Sequence, residues 1–315
     1  MREKYQALLG PYGVRKTKGQ KEKFRAWLCR TLEDMDYTPN EEKERGLVSS
    51  VNVTAGDPDR AEVLLTAHYD TCAVLPVPNF ITPRNLPVYL AYQLLLYGGI
   101  LLLGIAAEVG VIFLWEDCPM WAAMGAMYLV VGFCFWWMLA GPANRSNVND
   151  NTSGVLTLLE IARALPPEAR ERVCFVFFDT EEKGLLGSAA FAKRHKTARK
   201  KALVLNFDCV SHGDHLHLFP DRRVKREADT LTALEKAFRG EGEKTVHVVR
   251  SFGFYPSDQR AFFRGVGLCA LRKHPISGYY MNRIHTKRDT VLEEENIRLL
   301  RDGVLRLLEG GSFQG

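Results

Sequence analysis

Five short segments carry the side chains that catalysis would need. Thr66-Ala67-His68-Tyr69-Asp70 sets a carboxylate just beyond a histidine. A neutral imidazole is a good ligand for a divalent metal, and a carboxylate at its other ring nitrogen fixes the tautomer and raises its basicity. Alone, that spacing is weak. Asn149-Asp150-Asn151-Thr152-Ser153-Gly154 holds one carboxylate in a loop ahead of a helix, where Asp is more often a cap or turn residue. The chemical reading is a carboxylate that gives one oxygen to each of two metal ions. Phe177-Phe178-Asp179-Thr180-Glu181-Glu182-Lys183-Gly184 ends an apolar run in adjacent glutamates. Such neighbours repel unless a cation takes one as ligand and leaves the other to handle a proton; a solvated charged turn is the plain alternative. Asn206-Phe207-Asp208 and Ile284-His285-Thr286-Lys287-Arg288-Asp289 supply a further carboxylate and a second imidazole. Together His68, Asp150, Glu182, Asp208 and His285 form a set suited to zinc, cobalt or manganese.

These residues need strands and helices to bring them together. Lys16 to Asp36 has apolar residues at helical spacing. Leu47 to Thr54 and Glu62 to Ala67 read as strands around the turn Gly56-Asp57-Pro58-Asp59-Arg60. Val155 to Leu165 reads as a helix stopped by Pro166 and Pro167. Val173 to Phe178 and Ala202 to Phe207 are continuous apolar strands of the buried type, with a helix at Ala189 to His195 between them. His215 to Phe219, Thr245 to Val249 and Gly267 to Leu271 follow as strands, with helices at Asp229 to Phe238 and Glu293 to Leu308. The alternation predicts an α/β three-layer sandwich around a largely parallel mixed sheet. His68, Glu182 and Asp208 then sit beyond the carboxyl ends of strands, where sites form in such sheets.

Bulk composition narrows the function. The chain has 315 residues, 25% charged and 46% hydrophobic, with a net charge of +5. Its basic residues are scattered, which argues against nucleic acid as a partner. Seven well-separated cysteines without a CxxC pair argue against a disulfide framework or a thiolate zinc site. No apolar run marks the first residues as a signal peptide. One stretch departs from the average: Val88 to Leu139 is almost wholly apolar, broken by Glu116-Asp117-Cys118-Pro119. Each half matches the roughly 20 residues that a bilayer span needs. Arg84 and Arg145 flank its base and the turn is acidic, which puts the base in the cytoplasm by the positive-inside rule. The reading is a hairpin inserted at residues 85–141 of a catalytic domain built from 1–84 and 142–315, anchored to the membrane and facing the cytoplasm. A soluble cytoplasmic protein, with the hairpin as a cap or dimerisation arm, is the alternative; Glu108 and Gln93 lie within the first half.

The strings LLTAHYDT, NVNDNTSGV, FVFFDTEEKGLLGS, LNFDCVS, YPSDQRAFFRGVGLCAL and IHTKRDT stand in this order. With them the sequence resembles the dinuclear zinc aminopeptidase family of clan MH metallopeptidases, which includes bacterial leucyl-type aminopeptidases and is related to the glutaminyl cyclases. The resemblance covers nearly all of the chain outside 85–141. It implies two zinc ions, one on His68 and Asp208, the other on Glu182 and His285, with Asp150 bridging. It makes Glu181 the general base and Asp70 the residue that orients His68, and it places Ser257 and Asp258 near the substrate pocket. The implied activity is an aminopeptidase acting on peptides or amino-acid derivatives. Its rivals are a glutaminyl-cyclase-like acyltransferase and a non-catalytic membrane scaffold of the same fold. Tyr279 and Tyr280 are candidates to support an oxyanion. Three further features have bland readings: His212, His215 and His217 as a solvated strand end, Cys72 as a packed thiol, and the basic run His195 to Lys201 as a solvated helix end or a contact to acidic lipid.

Overall fold

The computed structural model describes residues 6–44 and 48–311. After a short helix α1 (Gln6–Leu9), helix α2 (Lys18–Glu33) opens on a capping box: Thr17 Oγ1 accepts from Gln20 N–H, and the Gln20 side chain accepts from Thr17 N–H. Strands β1 (Pro39–Glu44), β2 (Ser50–Ala55) and β3 (Val63–His68) follow, and β3 ends on the first histidine. Leu47, the expected start of the second strand, lies outside the described residues. Helices α3 (Leu86–Leu114) and α4 (Met120–Ala140) then form the apolar insert. The chain continues through α5 (Ser153–Ala164), β4 (Val173–Phe178), α6 (Leu186–Arg194), α7 (Lys196–Lys201), β5 (Leu203–Phe207), β6 (His215–Pro220), α8 (Ala228–Ala237), β7 (Thr245–Val248), β8 (Gly265–His274), β9 (Gly278–Tyr280) and α9 (Glu294–Glu309).

The strands form one mixed sheet of nine, in the order β1-β2-β4-β3-β5-β8-β6-β7 with β9 on β8. The central run β4-β3-β5-β8 is parallel, whereas β1, β2, β6 and β9 meet their neighbours on the central run or each other antiparallel. Parallel strands buried on both faces explain the unbroken apolar runs of β3, β4 and β5. Their side chains alternate between two cores. Leu65, Phe175, Phe177 and Leu205 meet α2, α5, α8 and α9 on one face, and Leu64, Val176, Phe178 and Val204 meet Phe191 and Ala198 of α6 and α7 on the other. The sandwich is therefore three-layered, as the alternation predicts.

Two strands have no apolar signal in the sequence. β1 reads Pro39-Asn40-Glu41-Glu42-Lys43-Glu44, a charged edge strand of the kind that resists pairing with other chains. Its one inward residue, Glu42, is buried with His195 and Arg194 at 2.9 and 3.3 Å. β9 is too short for a period to show.

The insert differs from every other helix in the molecule. α3 and α4 run 29 and 21 residues, long and apolar enough to cross a membrane. Gly104 of α3 and Ala123 of α4 are their only buried residues. Gly104 lets the helices touch, since a Cβ there would stand 2.8 Å from Val131. Elsewhere the apolar side chains face outward all round, with Leu94 74% and Phe113 87% exposed. A core helix of a soluble domain buries one face; these bury almost nothing.

Candidate metal centre

The centre lies at the carboxyl ends of β3, β4 and β5. His68, the last residue of β3, points Nε2 at Asp150 Oδ1 (3.2 Å) and Asp208 Oδ1 (3.6 Å). From the opposite side His285 Nε2 stands 2.9 Å from the other oxygen of Asp150 and 3.3 Å from Glu182 Oε2. One carboxylate thus has an imidazole at each oxygen. All five expected ligands converge through these contacts.

The loop around Asp150 is held by its neighbours. Asn149 Oδ1 accepts from the Ser211 and His212 N–H groups (2.8 and 3.0 Å). Asn151 donates to the Phe207 carbonyl (2.9 Å) and accepts from Gly154 N–H (3.0 Å) and Cys209 N–H (3.3 Å). The two asparagines therefore lash this loop to the end of β5, which brings Asp150 beside Asp208. The helix-cap reading of Asp150 does not hold, because α5 is capped by Thr152 without a side-chain hydrogen bond. Asp150 itself is held below the usual carboxylate range: burial works against its charge, but hydrogen bonds from His285 and His68 outweigh it.

Glu181 and Glu182 sit in a tight turn after β4. Asp70 accepts from their backbone N–H groups, at 3.0 Å for Glu181 and 3.3 Å for Glu182. The Asp70 carboxylate is 3.6 Å from His68 Nδ1, while the Asp70 backbone carbonyl is 3.2 Å from it. Asp70 thus ties the glutamate turn to β3 as well as facing the imidazole. Thr180, Cys209 and His285 have φ of 58°, 57° and 59°, a left-handed conformation costing roughly 1–2 kcal/mol for a residue with a Cβ. His285 is itself an expected ligand, Cys209 follows Asp208 and Thr180 precedes Glu181, positions where such geometry is typically retained because it aims a side chain.

Without a cation the cluster is electrostatically unfavourable. Burial pushes Glu182 up to about 8 and Glu181 well above the usual range, and it pushes Asp258 and Asp289 up to about 7. Burial opposes charge on His68 and His285, yet the facing carboxylates, Glu181 and Glu182 first among them, raise both, His285 to about 9. Glu182 Oε1 and both oxygens of Asp258 are buried without a hydrogen bond. Ser188, the hydroxyl beside Asp258, donates to the Leu185 carbonyl instead. Crowded buried carboxylates, some of their oxygens orphaned, beside two imidazoles are what divalent cations resolve, so the donor set fits metal. Among the described residues, His68 with Asp150 and Asp208, and His68 with Glu181 and Glu182, each bring three donor atoms within 4.8 Å of one another.

Several supporting residues escaped the sequence reading. Asp289 accepts from the Asn149 and Asp150 N–H groups at 2.8 and 3.0 Å. Arg15, fully buried, hydrogen-bonds the Tyr69 carbonyl, the Tyr12 carbonyl and Thr152 Oγ1, and so braces the His68 strand against the Asp150 loop. Lys21 pairs with Asp179 at 2.6 Å, and Asp179 also accepts from Thr180 and Val51 N–H. Asp289 stands in the string IHTKRDT as a carboxylate near His285 without a role, and nothing local distinguishes Arg15, Lys21 and Asp179 from surface charges. Cys72 is buried as expected for a packed thiol, but its Sγ also lies within 4.8 Å of donor atoms of Glu182 and His285.

Other expectations fare differently. Ser257 and Asp258 are buried near the centre, with Asn206 donating to Ser257 Oγ at 3.0 Å. Tyr279 packs on His217 and Tyr280 on Phe80, so both rings are engaged in packing. The histidines around β6 are not a solvated strand end: His217 is fully buried, stacked on His247, and pushed down to about 3 by burial. No metal-sized group of donors forms there among the described residues. In the basic run, His195 is engaged by Glu42 and Asp59, each at 2.9 Å.

The sequence profile of peptidase family M28 matches residues 138–305. The chain belongs to peptidase family M28. That membership places it among hydrolases of a zinc-dependent family, and the M28 match contains Asp150, Glu181, Glu182, Asp208 and His285. His68 and Asp70 fall outside it, cut off by the inserted helices. Solved structures share the M28 fold. A Zn-dependent exopeptidase from Parabacteroides distasonis is 16% identical, with 96% of this chain and 94% of that one covered at a TM-score of 0.59. A glutaminyl cyclase from Porphyromonas gingivalis is 17% identical over 98% and 95% at 0.61. The LapA aminopeptidase of Legionella pneumophila is 14% identical over 99% and 69% at 0.59. Comparison with curated protein sequences returned no match.

Proposed function

We propose that this M28 protein is a zinc-dependent aminopeptidase anchored in a membrane by α3 and α4, with its catalytic domain on the cytoplasmic side. The observation that carries the catalytic reading is Asp150, whose two oxygens each face the Nε2 of a histidine. His68 and Asp208 would hold one divalent ion, Glu182 and His285 the other, and Asp150 would lie between them. When bound, such ions lower the pKa of water and polarise a carbonyl.

The chain's own residues supply the rest. Glu181 takes a proton from the attacking water as its oxygen bonds to the scissile carbon. It then gives that proton to the leaving nitrogen as the C–N bond breaks. A free acid and a free amine result. Asp70 fixes where Glu181 stands by accepting its backbone N–H. Asp258, buried with both oxygens unpartnered, is suited to attract the ammonium of a substrate's free N-terminus, which selects chain ends over internal bonds.

The membrane reading is supported by the outward apolar faces of α3 and α4. Arg84 and Arg145 at the base, and Glu116 and Asp117 at the turn, support its orientation.

The fold likeness to a glutaminyl cyclase favours one second reading, cyclisation of N-terminal glutamine with loss of ammonia. Assaying purified, zinc-loaded protein on amino-acid 4-nitroanilides and on peptides with N-terminal glutamine separates the two. Nitroaniline release supports the peptidase; cyclised peptide without hydrolysis of any nitroanilide overturns it.

A further inference from the structure

Where α3 enters the catalytic domain, exposed apolar and basic side chains ring its first turn. Tyr89 of α3 packs against Phe254 at 6.2 Å, and Phe254 N–H donates to the Pro83 carbonyl at 2.8 Å. Asn85, which caps α3, donates to the carbonyl of Ser277 at 3.2 Å, so the β8–β9 turn abuts the helix start. The tip of that turn is Ile276, 83% exposed, and Phe252 beside Phe254 is 55% exposed. Three chain segments (the one leading into α3, the 249–257 loop and the β8–β9 turn) thus place large apolar side chains around one helix end.

Cations stand among them. Arg84 and Lys273 lie over the Tyr279 ring at 5.2 and 5.5 Å, and Arg260 lies over Phe254 at 5.6 Å. None of the three forms an ion pair among the described residues, whereas Arg250 nearby is taken by Glu235. Beside Arg84 a cleft of about 490 Å³ is lined also by His247, Arg250 and Ser251. Apolar side chains interleaved with unpaired cations, continuous with an apolar helix, match the boundary layer of an anionic bilayer: aromatic and aliphatic groups at the acyl edge, cations at the phosphates.

We propose that this ring seats the catalytic domain on the anionic lipid surface through which α3 and α4 pass. Ile276 and Phe252 enter the headgroup layer, and Arg84, Arg260 and Lys273 meet lipid phosphates. The domain is therefore held against the bilayer by its own face instead of swinging free on the hairpin. The segment that joins this ring to the metal centre is short and tied down: Leu75 N–H donates to the carbonyl of His285 at 2.7 Å, and Ile81 bridges to Met281. Seating thereby sets the height of the centre above the membrane.

The inference rests on the membrane reading of the hairpin, and the test separates the two. The full chain is reconstituted into vesicles of phosphatidylcholine with phosphatidylserine, with an environment-sensitive fluorescent amino acid replacing Ile276, Phe252 or, in the hairpin, Leu102. Nitroxide-bearing lipids should quench all three. Quenching at 102 alone, with 276 and 252 open to aqueous iodide, overturns the seating and leaves the hairpin intact; no lipid quenching at 102 overturns both. Probes at 276 and 252 that are shielded both from nitroxide lipids in vesicles and from iodide in a detergent-solubilised dimer mean that a second copy covers the ring, which overturns the lipid assignment. Arg260→Gln combined with Lys273→Gln should lower the ratio of seated to lifted domains by about five-fold per residue, read as lost lipid quenching at 276. Pure phosphatidylcholine vesicles should do the same to the unsubstituted chain.

Discussion

At the scale of single residues, the centre divides its acidic groups by what surrounds them. Asp150 meets two imidazoles and stays ionised, while Glu181 has burial and like charges against it and is poised to hold a proton. Replacing it tests that division. Glu181→Gln should keep the metal content of the purified protein, since all five proposed ligands remain, and lower kcat by about a hundred- to ten-thousand-fold. Normal turnover in that variant removes Glu181 from the mechanism. Asp289 acts one step further out, accepting the backbone N–H groups of Asn149 and Asp150. An amide at that position keeps one acceptor and loses the other. Asp289→Asn should therefore weaken metal binding about 10–100-fold, measured by competition with a chromophoric chelator, without unfolding the protein.

At the scale of elements, ligand placement depends on close approach between helix, strand and loop. Gly154, in the first turn of α5, lies against the end of β5, and a Cβ there would stand 2.2 Å from the Phe207 carbonyl. Gly154→Ala must push the Asp150 loop off β5, with a loss of about 1–3 kcal/mol in chemical denaturation and looser metal binding. The edge strand β1 is held differently, by charge. His195, between α6 and α7, contacts Glu42 of β1 and Asp59, and these partners raise its pKa against the opposing effect of burial. A histidine raised in the folded state stabilises fully below its unfolded pKa, and this stabilisation fades as pH rises through the folded value. His195→Gln should thus cost more stability at about pH 5.5 than at about pH 9. A deficit independent of pH shows that packing alone holds β1. The ring is partly solvated, so the difference is modest.

At the scale of the whole molecule, one α/β domain is interrupted between the first ligand and the rest. His68 precedes α3 and Asp150 follows α4, yet Ala73 bridges Ala143, so the insert leaves and returns at one point beside the centre. The outward apolar surface of α3 and α4 predicts that the protein sediments with membranes after lysis without detergent, resists an alkaline wash, and dissolves on adding detergent. Recovery in the supernatant shows that the hairpin is no anchor.

Apolar runs, alternation with helices and ordered strings in the sequence were enough to specify the three-layer fold and the insert, and they named the five side chains that the fold brings together at the candidate centre. Those features are local: a buried parallel strand is continuously apolar, and His68 and Asp208 end or directly follow one. What the tertiary structure alone decided is set by contacts between distant segments. The acidic strand β1 has no period, since Glu42 is satisfied by residues beyond position 190. Asp289, Arg15 and the Lys21–Asp179 pair look like ordinary charges until folding buries them against the ligand loops. Asp150 itself is a plain turn residue in sequence, and it stands in the middle of the candidate centre only because β3 and the 284–290 loop deliver a histidine to each of its oxygens.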